Sequence, residues 1–285
     1  MKAVFIKEFG GVDKLIYSEI PEPKIKNNSI AIKIKASSIN HLDLWVRKGI
    51  ASEKSKLPII LGADGSGTII SIDSKYNNFK IGDEVIIQPG IFCGNCAHCK
   101  NDNENYCIEY GILGETHNGT HAEIVNVGIN NIYKKPNHLT FEEAASMPLV
   151  FMTSYQMIIE RANLQKNEII LIYGGSSGVG SAAIQISKDI GAYVIATAGT
   201  EDKCDYSLQM GADMVINHNT SNWINKIKTV FQGVDVVFEH IGENTWEKSI
   251  RLLNRGGRIV TCGATTGNNV KINLSHLFIK NQSIL

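Results

Sequence analysis

IILIYGGSSGVGSAAIQISKDIG, residues 169–191, is the stretch that decides the fold. Ile169 to Tyr173 form a short apolar run, the pattern of a buried strand. Gly174-Gly175-Ser176-Ser177-Gly178-Val179-Gly180 then turns the chain, and apolar residues at helical spacing run to Ile190 before Gly191 stops them. A strand, a glycine loop and a helix in that order leave free N–H groups at the helix start, where a pyrophosphate can approach closely. Read as G-x-G-x-x-G, the motif keeps Gly175 and Gly180, with Gly178 and Val179 inside it, but its middle position is Ser177.

Working outward, the alternation of strands and helices continues. Residues 193–197 read as a strand, 202–210 as a helix ended by Gly211, and 213–216, 234–238 and 258–262 as further strands. This series predicts a doubly wound parallel sheet with helices on both faces, a dinucleotide-binding domain over residues 149–285. The end of the second strand selects the cofactor. An NAD site normally carries an acidic residue there to hold the ribose 2′-hydroxyl. Here the tip is Thr197-Ala198-Gly199-Thr200, followed by Glu201, Asp202 and Lys203. With no carboxylate at the tip, Lys203 as a cation and Gly199 and Thr200 as neutral donors, NADP(H) is expected over NAD.

Upstream, short strands over 29–36, 67–73, 84–88, 122–127 and 132–134 are separated by turn signals such as Asn77-Asn78 and Gly82-Asp83. They suggest a small β-barrel over residues 1–148. Thr140-x-x-Glu143 is a capping box that opens a helix, which Pro148 interrupts before 151–160 resumes it. Cys93, Cys96, Cys99 and Cys107 stand at C-x2-C-x2-C-x7-C spacing, the pattern of a closed, four-thiolate structural zinc site. Such a lobe (93–107) leaves no open position for substrate, so the chemistry lies elsewhere.

The totals exclude several classes. Among 285 residues, 28 Lys plus Arg balance 28 Asp plus Glu, so neither nucleic acid nor an anionic membrane is implied. No apolar run is long enough to span a bilayer. Two cysteines beyond the lobe, Cys204 and Cys262, are ordinary thiols rather than a disulfide framework, which fits a cytoplasmic protein.

SSINHLDLWVRKG (37–49), LGADGSG (61–67), the cysteine lobe, AASMPLVFMTSY (144–155), GGSSGVG and VDVVFEHIG (234–242) together resemble the medium-chain dehydrogenase/reductase superfamily, near its quinone oxidoreductases. The resemblance implies a GroES-like catalytic domain followed by a Rossmann cofactor domain. Zinc alcohol dehydrogenases of that superfamily hold a catalytic zinc through Cys, His and Cys. The corresponding positions here are Asn40, Ala63 and Leu149, and the proton-relaying Ser or Thr is Leu42. Alanine and leucine carry no donor atom, and an amide oxygen is a poor zinc ligand. The expected reaction is therefore metal-free hydride transfer from NADPH to a quinone, enone or related activated carbonyl. Asn40 is the expected hydrogen-bond donor, with Asp43 or Asp64 orienting it, unless those carboxylates only cap turns. The resemblance also places His41 near the cofactor pyrophosphate and Thr153 and Val179 beside the nicotinamide. His240, Ile241 and the backbone around Gly263 fall near its ribose and carboxamide; Tyr110 and Ile112 fall near the substrate cleft, with packing the alternative role for Tyr110.

Family members return to the catalytic domain after the last cofactor-domain strand, so the chain's end at Leu285 is expected to be that of a fragment. A homodimer or homotetramer is implied, with residues 271–285 near the subunit contact. Two other readings stay open: a zinc-type alcohol dehydrogenase, and a non-catalytic nicotinamide-nucleotide-binding scaffold.

Overall fold

The computed structural model describes residues 1–24, 29–50, 54–73, 78–220 and 223–285; Asn77 of the expected Asn77-Asn78 turn lies outside them. The chain divides into two units, Met1–Leu149 and Val150–Leu285.

The first unit is built from short antiparallel strands. β1 (Lys2–Ile6), β2 (Ile16–Glu19), β3 (Ser29–Ser37), helix α1 (His41–Lys48), β4 (Ile59–Ile60), β5 (Gly65–Ser71) and β6 (Glu84–Ile87) come first. The cysteine lobe follows between the small strands β7 (Gly90–Ile91) and β8 (Gly111–Ile112). β9 (Ile124–Gly128), β10 (Ile132–Lys134) and helix α2 (Phe141–Ala145) complete the unit. One sheet runs β10-β6-β5-β3-β9 and another β2-β1-β4. Alternation in β3 turns Lys33 and Lys35 outward, while Ile30 and Ile32 join Ile69, Val85, Ile87 and Val125 in the core. The capping box forms: Thr140 N–H donates to Glu143 Oε2 at 2.8 Å, and Glu143 N–H to Thr140 Oγ1 at 3.1 Å. Pro148 acts differently from expectation. It opens helix α3 (Pro148–Tyr155) instead of interrupting one, because a residue without an N–H fits the first helical turn.

The second unit is a single sheet of parallel strands. Its elements are β11 (Ile169–Ile172), α4 (Gly178–Ile190), β12 (Tyr193–Ala198), α5 (Glu201–Gln209), β13 (Met214–Asn217) and α6 (Trp223–Phe231). β14 (Val234–Glu239), α7 (Trp246–Leu252), β15 (Leu253–Thr261), α8 (Leu274–Lys280) and β16 (Ser283–Ile284) follow. The strand order is β13-β12-β11-β14-β15-β16 with every pairing parallel, the doubly wound order whose direction reverses between β11 and β14. Ile170, Leu171 and Ile172 are fully buried, as the unbroken apolar run requires of a central strand covered on both faces. β15 begins at Leu253, earlier than its apolar pattern indicates. Val234 pairs with Leu253 but Val236 with Arg258, so the glycine-rich turn at Gly256-Gly257 loops out of register. Among the described residues no helix is long and apolar enough to cross a membrane.

Candidate active site and zinc lobe

The glycine loop sits at the end of β11, beside the point where the strand order reverses, which is where open α/β sheets bind ligands. Two glycines are required by packing. A Cβ on Gly180 would run into the Gly174 carbonyl, and one on Gly175 would lie 2.8 Å from Ser207 Oγ and 2.9 Å from Ala196 Cβ. These contacts pack the loop and the start of α4 tightly against β11 and β12, and the free N–H groups at the helix start suit a dinucleotide pyrophosphate. Ser177, in place of the middle glycine, is the N-cap of α4: its Oγ accepts from Gly180 N–H at 3.0 Å. The serine's φ of −76° needs no glycine, and the N–H groups of Gly178 and Val179 remain without a carbonyl one turn back.

At the tip of β12, Thr200 caps α5 by accepting from Lys203 N–H at 3.4 Å. The sequence reading passed over His218, which follows β13 and comes within 3.2 Å of where a Cβ on Gly199 would lie. Burial lowers the His218 pKa, and the charges of Lys203 and Lys248 lower it further. His218 thus stands beside the glycine tip, within electrostatic reach of Lys203 and Lys248. Asn219 donates to the Gly199 carbonyl at 2.7 Å, and Asn217 holds Glu201 Oε1 at 2.7 Å. His218 stands in no motif; only the register that puts β13 beside β12 brings it here.

The other rim of this site lies beyond β14 and β15. His240 Nε2 is 2.8 Å from the Tyr173 carbonyl, and its ring approaches Gly174, while Gly263 lies beside the His240 backbone. Ile241 N–H donates to Glu239 Oε1 at 2.7 Å. Val179 packs against the core cluster of Ile184 and Phe238. Next to Thr153, which is half-buried, Ser154 donates to the Val179 carbonyl at 2.9 Å and ties α3 to the glycine loop.

In the first unit, Asn40, Asp64 and Leu149 meet although they are far apart in sequence. Asp64 is fully buried. Its Oδ2 accepts from Asn40 Nδ2 at 2.9 Å and Ser38 Oγ at 3.1 Å, and its Oδ1 from Leu149 N–H at 2.9 Å. Burial dominates over these donors and raises its pKa to about 6. The second amide proton of Asn40 is held only weakly, with Ser38 Oγ 3.4 Å away. Ala63 is fully buried and contributes no donor atom. Of the two carboxylates expected to orient the Asn40 side chain or to cap turns, Asp43 takes the second role. Its two oxygens accept from the backbone N–H groups of Asn40 (2.7 Å) and Gly62 (2.9 Å), so it holds the start of α1 and the turn before Asp64. His41, in the first turn of α1, is exposed, its ring centroid 5.9 Å from that of Trp45. Tyr110 is half-buried; burial raises its pKa, and its hydroxyl crowds Gly90.

The four lobe cysteines converge so that all their sulfurs lie within 4.8 Å of one another. Neighbouring Sγ–Sγ separations are 3.5 Å (Cys96–Cys99 and Cys93–Cys107) and 3.9 Å (Cys93–Cys99). The edge of a tetrahedron with Zn–S bonds of about 2.3 Å is about 3.8 Å, so the cluster can hold zinc. N–H groups of Asn95 and Cys96 bring the Cys93 thiol down to about 7, while burial sends Cys99 up to about 12.

Comparison with known proteins agrees with this geometry. Residues 26–137 match the alcohol dehydrogenase GroES-like domain family and residues 178–285 the zinc-binding dehydrogenase family. A quinone oxidoreductase of Homo sapiens is 31% identical over 288 residues, an alignment covering 100% of this chain and 79% of that protein. A crystal structure of an NAD-dependent alcohol dehydrogenase is 40% identical with a TM-score of 0.96, covering 100% of this chain and 84% of that one. The Escherichia coli quinone oxidoreductase complexed with NADPH is 25% identical with a TM-score of 0.82, covering 100% of this chain and 80% of that one. A GroES-like domain with a four-cysteine lobe, joined in one chain to a Rossmann sheet whose glycine cradle suits a dinucleotide, makes this protein a member of the medium-chain dehydrogenase/reductase superfamily and an NAD(P)-dependent oxidoreductase.

Proposed function

We propose that this protein reduces a quinone, an enone or a related activated carbonyl with NADPH, without a catalytic metal. The observation that carries the reading is the Asp64 cluster. Its carboxylate is already claimed by donors from Leu149, Asn40 and Ser38, and Ala63 and the Leu149 side chain offer nothing to complete a metal-binding set. Such residues suit hydrogen bonding to an oxygen that gains charge, not Lewis-acid activation of an alcohol.

When bound, NADPH supplies the hydride. The weakly held second N–H of Asn40 is the donor for the acceptor's oxygen, and Asp64 fixes the amide by its other proton. Asp64, with its pKa raised to about 6, carries a proton below that pH, and the Ser38 hydroxyl, 3.1 Å away, is the neighbouring group suited to relay a proton toward the acceptor. One hydride and one proton complete the reduction of a quinone to a hydroquinone, or of an enone to its saturated carbonyl. A preference for NADPH over NADH is supported by His218 beside Gly199, by the charges of Lys203 and Lys248 that reach His218, and by the engagement of Glu201 with Asn217. The Escherichia coli quinone oxidoreductase solved with NADPH supports the same preference.

The reading includes one structural zinc in the lobe, a small-molecule substrate in the cytoplasm, and a homodimer or homotetramer. Leu274 and Phe278 of α8, 68% and 69% exposed, support a subunit contact there, and light scattering tests it. A second reading, NAD-dependent oxidation of alcohols, is favoured by the 40%-identical alcohol dehydrogenase. One assay separates them: metal content measured alongside oxidation of NADPH and NADH with quinones and enones, and reduction of NAD and NADP with simple alcohols. Quinone- or enone-dependent NADPH oxidation supports the first reading. Two metals per chain with alcohol turnover supports the second, and cofactor binding without turnover across the panel marks a scaffold.

A further inference from the structure

We propose that Glu239 is a positioning residue for the nicotinamide half of the bound dinucleotide: its buried carboxylate, with Thr245, Ser249 and Tyr173, clamps the turn at His240–Gly242. The inference rests on the reading of the second unit as an NADP(H) site.

Glu239 ends β14 and is fully buried. Among the described residues no lysine, arginine or histidine forms an ion pair with it. A carboxylate in that position is costly unless donors surround it, and four do. Oε1 accepts from the N–H groups of Ile241 at 2.7 Å and Gly242 at 3.2 Å. Oε2 accepts from Thr245 Oγ1 and Ser249 Oγ, each at 2.9 Å.

The carbonyls of the same turn are held from the opposite side. Thr265 Oγ1 donates to the His240 carbonyl at 3.0 Å, and Thr266 donates to the Ile241 carbonyl through its N–H and its hydroxyl, both at 2.8 Å. With its donors bound to Glu239 and its acceptors to the loop after β15, the turn has little freedom. It stands at the strand ends where open α/β sheets hold ligands, so its fixed shape bears on what binds there.

The network also reaches the glycine loop. Ser249 Oγ lies 3.1 Å from the Tyr173 phenol oxygen. The Ser249 hydroxyl is shared among Glu239, the Thr245 carbonyl at 3.0 Å and the Tyr173 phenol, so the phenol belongs to the same buried network. Burial pushes the Tyr173 phenol well above its ordinary range, which keeps it protonated. Tyr173 immediately precedes Gly174, and its carbonyl meets His240 Nε2 at 2.8 Å. One buried polar chain thus ties the phosphate loop to the nicotinamide-side turn.

Calorimetric titration of the full chain with NADPH and with 2′,5′-ADP tests the clamp, because 2′,5′-ADP uses only the adenosine half. Glu239→Ala is expected to weaken NADPH binding roughly tenfold while 2′,5′-ADP binding stays within about twofold. Glu239→Gln is expected to restore NADPH binding to within about twofold, since its amide oxygen still accepts from both N–H groups and both hydroxyls can reverse. Should Glu239→Ala fail to fold, Ser249→Ala removes one donor and the Tyr173 link, and a loss of about threefold for NADPH alone is expected. Equal weakening of both ligands, or of neither, overturns the clamp. Wild-type protein that binds neither ligand overturns the cofactor reading itself, and the clamp with it.

Discussion

The substitution Asp64→Asn should change how the stability of this protein depends on pH, and the size of the change follows from its surroundings. Burial raises the carboxyl from 3.8 to about 6 despite the donors from Asn40, Leu149 and Ser38. A shift of about two units corresponds to about 3 kcal/mol. Because the folded-state value is the higher one, the stabilising contribution is complete below pH 4 and is lost as pH rises through 6. The introduced amide would keep an oxygen for Leu149 N–H, while its NH₂ faces the Asn40 amide, which must turn its own oxygen inward. That exchange costs about 1 kcal/mol at every pH. The variant should therefore be less stable than the parent by about 1 kcal/mol at pH 4 and more stable by about 2 kcal/mol at pH 7.5. At roughly 2–4 °C per kcal/mol for a unit of this size, the difference in Tm should swing by about 6–12 °C and change sign. Thermal unfolding of both proteins by circular dichroism, in matched buffers between pH 4 and 7.5, measures it. Parallel profiles, with a constant offset, would refute the assignment of a penalised buried carboxylate.

Three further outcomes are expected. Cys99→Ser should abolish zinc retention, with the lobe becoming sensitive to protease, as read by metal analysis and limited proteolysis; full zinc content in the variant would contradict the four-thiolate site. Lys203→Ala combined with His218→Ala should cut the preference for NADPH over NADH by about tenfold to a hundredfold, almost entirely through NADPH affinity. An unchanged ratio in titrations of the two cofactors would remove the basic tip from the account. Gly180→Ala should impair binding of both cofactors and lower stability by about 1–3 kcal/mol, because its methyl group meets the Gly174 carbonyl. Wild-type affinity in that variant would show that the close approach is unimportant.

The parallel sheet was legible because its central strands β11, β12 and β14 are largely buried and so read as apolar runs, with Gly191 and Gly211 ending helices between them. The cysteine lobe was legible for another reason: its ligands are local, so spacing alone encodes the geometry. What escaped depends on long-range register. His218 reaches Gly199 only because β13 pairs with β12, and the sequence distance between them carries no signal. The start of β15 escaped because a bulge opposite Val234 and Val236 has no apolar pattern. Resemblance aligned Asn40 and Leu149 with the same lost metal site and offered Asp64 as a partner for Asn40, but that Asp64 also accepts from Leu149 N–H became apparent only from hydrogen bonds. Asp43 was left open between two roles for a local reason: an acidic residue three positions after Asn40 can serve a side chain or a backbone N–H equally well in sequence. Here it serves the backbone.

Hydride transfer without a catalytic metal is tested most directly by stopped-flow oxidation of NADPH with a quinone or enone acceptor, on protein whose zinc has been counted. Turnover by protein carrying one zinc per chain, undiminished after brief chelation that leaves that zinc in place, is the expected result. Turnover that appears only when a second metal is bound would contradict it.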